Sequence, residues 1–168
     1  MTIGMFMPLQ VIMIPLAILV RDLHLTNTYG GLIVPYVAIG LPFSCLVFYG
    51  FMKGIPGELE ESACMDGANV YRMFLQIIVP VVTPAVATVA IFQFLNNWNE
   101  FLLAYILISD EGMKTLPLGL LFFQGQYSTD WGGMGAVMTM ASLPMVIVYL
   151  FFSEQVERAM TVGSAVKG

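Results

Sequence analysis

Four long stretches without a charged side chain constrain what this chain can become. Residues 3–20 (IGMFMPLQVIMIPLAILV) hold 18 uncharged positions and residues 32–52 (LIVPYVAIGLPFSCLVFYGFM) hold 21. At about 1.5 Å per helical residue, such lengths match the roughly 30 Å hydrocarbon core of a bilayer. A third stretch begins near Pro80 and runs through VVTPAVATVAIFQFL to the polar cluster Asn96, Asn97, Trp98, Asn99, Glu100, then resumes as FLLAYILI to Ile108. The fourth covers 133–152 (GMGAVMTMASLPMVIVYLFF). Pro35, Gly40 and Pro42 would break a soluble helix, but neighbouring helices can satisfy the freed carbonyls in a membrane. The expected fold class is all-α: a polytopic transmembrane bundle of about four spans, forming a single domain over 1–168.

Composition closes off the alternatives. The chain is 58% hydrophobic and 10% charged, with mean hydropathy +0.84, against about 25% charged residues in soluble domains. Net charge is 6 − 11 = −5 with no basic tract, so nucleic acid is not a partner and membrane lipid is. Cys45 and Cys64 lie 19 residues apart and His24 is the sole histidine, a pattern that supports neither a zinc site nor a disulfide framework. The 13 methionines read as membrane packing. The spans hold no His and no Asp, which leaves no intramembrane hydrolase chemistry. No GxxxxGK[ST] motif is present, so no cofactor is expected and any ATP must be bound by another chain. Residues 3–20 also lack the basic leader and small-residue cleavage site of a signal peptide.

Four crossings place 53–79 and 153–168 on one side and 21–31 and 109–132 on the other. The first side carries Lys53, Arg72, Arg158 and Lys167, the second Arg21 and Lys114. Four basic residues against two put the first side in the cytoplasm. Trp131, Tyr127 and Trp98 sit where aromatic belts are expected at the outer ends of the spans.

The segment between the second and third spans, KGIPGELEESACMDGANVYRMFLQIIV, is far longer than a turn requires, which suggests a partner surface. Pro56 suits a first helical turn, and Glu58, Glu60 and Glu61 complement the positive end of the dipole. A helix over about 56–65 follows. Gly67 occupies a helix-ending, left-handed position, and Asn69 caps a second helix containing Tyr71, Phe74, Ile77 and Ile78 before Pro80. A helix that lay on the bilayer surface would be basic on its polar face, and this one is acidic.

These residues resemble the cytoplasmic EAA loop of the membrane-spanning permease subunits of binding-protein-dependent ABC importers. Glu61-Ser62-Ala63, Asp66-Gly67-Ala68, then Phe74, Ile77 and Val79-Pro80 follow the pattern EAA, two residues, DGA, and I-x-L-P, with Ile77 after nine intervening residues from the glycine. Ser62 and Val79 depart from the pattern conservatively. Pro8 to Pro15, Leu25-Thr26-Asn27-Thr28, Pro42-Phe43, Ile55-Pro56, Trp98-Asn99-Glu100-Phe101 and the closing Ala165-Val166-Lys167-Gly168 resemble the carbohydrate-uptake class. The resemblance implies a transport subunit without a catalytic site of its own, in the inner (plasma) membrane of a bacterium or archaeon. It would pair with a second permease subunit above ABC ATPase subunits, and an extracytoplasmic solute-binding protein would deliver a sugar or related solute. It also implies that 53–79 docks on the ATPase through Glu61, Ser62, Ala63, Asp66, Gly67, Ala68, Phe74, Ile77 and Pro80. Family members typically have six spans, so this chain reads as the C-terminal part of such a subunit, lacking its N-terminal spans.

Two segments stay open at this level. Asn96, Asn97, Asn99 and Glu100 are expensive in hydrocarbon and either face a wet pathway or another subunit, or mark the outer interface beside Trp98. The apolar run Leu116 to Phe123 in the outer segment either contacts the binding protein or packs as a lid on its own spans.

Overall fold

The computed structural model describes residues 7–125 and 127–165, with side chains as far as Phe152. Residues 3–6 of the first expected span, the Arg158 and Lys167 side chains and the closing Val166-Lys167-Gly168 lie outside that description. Seven helices follow in order: α1 (Leu9–Asp22), α2 (Tyr29–Lys53), α3 (Gly57–Met65), α4 (Val70–Trp98), α5 (Leu102–Leu107), α6 (Leu116–Gly119) and α7 (Trp131–Ala165). Among the described residues no strand forms, apart from one isolated bridge between Gln124 and Thr129.

Among the described residues, three helices are long and apolar enough to cross a membrane: α2 with 25 residues, α4 with 29, and the first 22 residues of α7, to Phe152. Four spans were expected. The described part of the first, α1, has 14 residues, or about 21 Å of rise, short of the hydrocarbon core. Phe152 adopts non-helical angles (φ −127°, ψ 20°) and kinks α7, which then stays helical to Ala165.

α2 and α4 run antiparallel. Tyr36 meets Glu100, Gly40 meets Gln93, and the rings of Phe43 and Phe92 stack with centroids 3.9 Å apart. The buried residues of α4, Val82, Ala85, Thr88 and Ile91, recur every third position and form one face, as helical periodicity demands. α7 packs along α4, and the Trp98 indole N–H donates to the Ala141 carbonyl at 3.0 Å. Trp98 is therefore an interhelical tie about three turns inside the start of α7, where sequence reasoning expected a residue of the outer aromatic belt. Trp131 does lie exposed at the start of α7.

The third span does not run unbroken to Ile108. α4 ends at Trp98 and α5 resumes at Leu102. α5 packs on α1 and α2, with Val20, Leu103 and Leu107 at the centre of a buried cluster. Its far end meets the turn between α1 and α2: the side-chain Oδ1 of Asn27 accepts from the backbone N–H groups of Ser109 (2.6 Å) and Asp110 (3.1 Å). Asn27 takes a left-handed conformation (φ 55°), which asparagine tolerates better than most residues. Next to it Thr28 caps α2, accepting from the Gly31 N–H at 3.0 Å. A Cβ at Gly31 would collide with the Leu25 carbonyl oxygen.

The apolar run of the outer segment folds back on the bundle. Leu118 is buried with Ala104 and Ile108, and the turn Leu120–Phe123 packs on α7. A lid on its own spans is thus the arrangement observed.

Candidate functional site

Two places combine unusual chemistry with defined geometry: the hairpin α3–α4 and a polar cavity between α2 and α4.

α3 starts after Pro56, with Glu58 and Glu60 in its first turn. It stops at Gly67, whose φ is +72°. The Ala68 N–H reaches the Ala63 carbonyl and the Gly67 N–H reaches the Cys64 carbonyl, both at 3.0 Å. These are the two bonds that close a helix on a left-handed residue. No atom lies within 4 Å of a Cβ built on Gly67, so the glycine is required by its dihedral angle and not by crowding. Ala63 is buried, whereas Glu61, Ser62, Asp66 and Gly67 are exposed. Ser62 returns its hydroxyl to the Glu58 carbonyl at 2.7 Å, a bond that satisfies it within its own helix.

Asn69 caps the second helix, its Oδ1 accepting from the Arg72 N–H at 2.8 Å. That helix does not end before Pro80, as its sequence suggested. Residues Phe74–Ile78 form a π turn, closed by the Val79 N–H on the Phe74 carbonyl, and the helix continues through Pro80 to Trp98. A widened turn relieves the clash of a proline ring with the preceding turn and absorbs its missing donor. The hairpin's second arm and the span are one 29-residue helix, about 43 Å long, which exceeds the hydrocarbon core and carries the hairpin clear of it. On this projecting end Met65 (89% exposed), Val70 (74%), Tyr71 (81%) and Phe74 (54%) are open. Ile77 is half-buried and Pro80 exposed. The nine residues of the EAA pattern thus gather on one hairpin, with an acidic first helix and an apolar tip.

The second place is a cavity of about 260 Å³ whose walls include Tyr36, Gly40, Phe43, Phe92, Gln93, Asn96, Asn97 and Glu100. Glu100 stands opposite Tyr36, which is seven residues inside the start of α2 and so about 10 Å below its end. The cluster therefore lies against the body of α2 and not beyond its end. Gln93 donates to the Gly40 carbonyl (2.9 Å) and the Ser44 hydroxyl (3.3 Å). Asn99 belongs elsewhere: its amide donates to the Leu95 carbonyl at 2.8 Å, and it lines a separate cavity of about 330 Å³ with Pro117, Met138 and Met145. Sequence reasoning named Asn96, Asn97 and Glu100 but missed Gln93, Tyr36 and Gly40. Helical spacing held the signal, because positions 93, 96, 97 and 100 share one face, as do 36, 40 and 44. Amide groups beside stacked aromatic rings can hydrogen-bond a polyhydroxylated solute and pack against its apolar face.

The family model described as "binding-protein-dependent transport system inner membrane component" matches residues 1–162 of this chain. A putative ABC transporter permease protein of Caldicellulosiruptor sp. (strain Rt8B.4) is 41% identical over 165 residues, covering 98% of this chain and 60% of that protein. Arabinooligosaccharides transport system permease protein AraQ of Bacillus subtilis (strain 168) is 36% identical over 164 residues, covering 98% and 57%. Probable starch degradation products transport system permease protein AmyC of Thermoanaerobacterium thermosulfurigenes is 34% identical over 163 residues, covering 97% and 59%. The chain thus spans less than two thirds of the length of these relatives.

Proposed function

The chain belongs to the binding-protein-dependent transport inner membrane component family, and on that premise we propose that it is a permease subunit of an ATP-driven importer of oligosaccharides or related solutes. The observation that supports this best is the cavity inside the bundle, where Gln93, Asn96 and Asn97 present amides beside the stacked Phe43 and Phe92. That chemistry suits a sugar passing between helices, and relatives are named for starch degradation products and arabinooligosaccharides. In this reading the subunit has no catalytic site. ATPase subunits hydrolyse ATP, a second permease subunit completes the pathway, and a solute-binding protein delivers from outside. The hairpin carries the ATPase movement inward: Glu61 and Asp66 supply exposed carboxylates, Ala68 allows close approach, and Met65, Tyr71 and Phe74 supply an apolar tip, while Ala63 is buried within the fold and not on the docking face. A helix continuous with the span transmits a rigid displacement that a floppy loop would absorb.

The test is uptake of radiolabelled maltotriose and arabinotriose by cells expressing the intact transporter. Uptake of either that requires the ATPase, and that falls at least severalfold in Asn97→Ala, is the expected result. Uptake that survives removal of the ATPase would point instead to a self-contained carrier. An intact transporter that moves only non-sugar solutes would overturn the substrate class alone.

A further inference from the structure

The break between α4 and α5 falls inside the bundle, and the side chain that bridges it is Glu100. A broken helix leaves the first N–H groups of its second half unpaired, at a depth where unpaired backbone groups are costly. Phe101, at the cap position of α5, provides no side-chain acceptor. Glu100 does. Its Oε1 accepts from the Leu103 N–H at 2.8 Å, and its Oε2 accepts from the Ala104 N–H at 3.2 Å and from the Tyr36 hydroxyl at 2.7 Å. Leu103 and Ala104 are buried, so both oxygens are engaged, by donors from two different helices.

We propose that Glu100 is a positioning residue for transport: its carboxylate holds α5 in line behind α4 and ties both to α2 through Tyr36, so fixing the wall on which Gln93, Asn96 and Asn97 meet the solute. This rests on the reading of that cavity as part of the pathway. All three partners of Glu100 are donors, which explains a carboxylate: a glutamine would set its own NH₂ against one of them. The length of the side chain is explained as well. Asn69 and Asp130 make their i→i+3 bonds from the cap position itself, to the Arg72 and Gly133 N–H groups, whereas Glu100 stands one residue before the cap position Phe101. From there one side chain reaches the Leu103 and Ala104 N–H groups and the Tyr36 hydroxyl together, and the length of glutamate serves that reach.

The experiment is hydrogen exchange at residues 102–107 in the intact transporter in lipid nanodiscs without solute, alongside uptake of maltotriose and arabinotriose. Glu100→Gln should speed exchange at Leu103 and Ala104 roughly tenfold, the loss expected for a charge-assisted bond. Tyr36→Phe, which keeps the ring and loses only the hydroxyl, should have a smaller effect and add nothing on the Glu100→Gln background. Glu100→Asp, which keeps the charge but shortens the reach, should lose the Tyr36 bond and reproduce the uptake defect of Tyr36→Phe, with exchange at Leu103 slower than in Glu100→Gln. In uptake, Glu100→Gln should slow both trisaccharides by the same factor, whereas Asn97→Ala should change their ratio. Parental exchange in Glu100→Gln, or a changed trisaccharide ratio with parental exchange, overturns the proposal and marks Glu100 as a direct solute contact or as dispensable. If neither sugar is transported, the substrate reading fails, and the exchange data still decide whether Glu100 holds α5. Should Glu100→Gln not assemble, Tyr36→Phe and Glu100→Asp carry the same comparison.

Discussion

The hairpin at one end of α4 and the helix break at the other are both changes of chain direction next to the same long helix, yet they are stabilised in opposite ways. The hairpin is built from neighbours in sequence. Every bond that shapes it, from Ser62 to Glu58, from Ala68 to Ala63 and from Arg72 to Asn69, spans three to five residues. The break is built from distant ones: Tyr36 is 64 residues from Glu100, and Asn27 is 82 from Ser109. A local device can change without the bundle noticing, and a device assembled from three helices cannot. The element proposed to face the ATPase is thus the one whose fold is self-contained.

The comparison can be broken by mutation, and the largest effect should come at the tertiary end. A Cβ on Gly40 already lies 2.6 Å from Gln93. Gly40→Val should displace that amide from its carbonyl and wedge α2 from α4, costing about 2–3 kcal/mol, read as a lower melting temperature of the intact transporter. Next comes Gly67→Val. With open space around it and φ at +72°, the penalty should be strain alone, roughly 1–2 kcal/mol, and confined to the hairpin. ATPase retention and uptake should fall while insertion and melting of the bundle hold. A bundle that melts as early in Gly67→Val as in Gly40→Val would show that the hairpin is not self-contained.

Asn69→Ala should cost about 1 kcal/mol by loss of a cap, visible as faster amide exchange at Val70 to Met73 with unchanged exchange at Leu103. Smaller still in stability are two exposed positions of α3. Glu61→Ala should lie within about 0.5 kcal/mol of the parent and yet weaken ATPase retention, because it removes a contact to a partner and none within the fold. Ser62→Ala should be nearly silent in both. Normal uptake by Gly67→Val and Glu61→Ala together, at normal expression, would mean that this hairpin is not the coupling element. Last, with no energetic effect expected, single cysteines at Glu60 and at Thr129 in a background free of Cys45 and Cys64 should be labelled from opposite faces of the membrane. Labelling of both from outside would reverse the assignment of the two ends.

The same contrast explains what the sequence disclosed. The boundaries of α3, the left-handed Gly67 and the Asn69 cap are all set by residues within five positions, and each was readable. The continuity of α4 through Pro80 was not, because a proline reads as a stop unless the turn before it is known to widen. Nor was the partner of Glu100, since Tyr36 lies on another helix 64 residues away. Trp98 was placed at an interface for the same reason: its partner, Ala141, lies 43 residues away. Within the site, the polar residues of α4 were visible as chemistry, while Gly40 and Tyr36 acquire meaning only through what faces them.

The unbroken helix from Val70 to Trp98 is mechanically a lever. Its buried stretch, Val82 to Ile91, lies past its middle and is where the other helices grip it, so that stretch is the natural fulcrum. Taking Ala85 to Thr88 as the pivot, the hairpin arm to Val70 is about 25 Å long and the arm to Asn96 and Asn97 about 15 Å. A rotation that carries the hairpin one way carries Asn96 and Asn97 the opposite way, about three fifths as far. A tilt of 10°, by the same helical rise, swings the hairpin end by about 4 Å and the cavity wall by about 3 Å, comparable to the width of a water molecule. Under the proposed coupling, transmission would reverse direction and reduce amplitude, and both would follow from where the helix is buried.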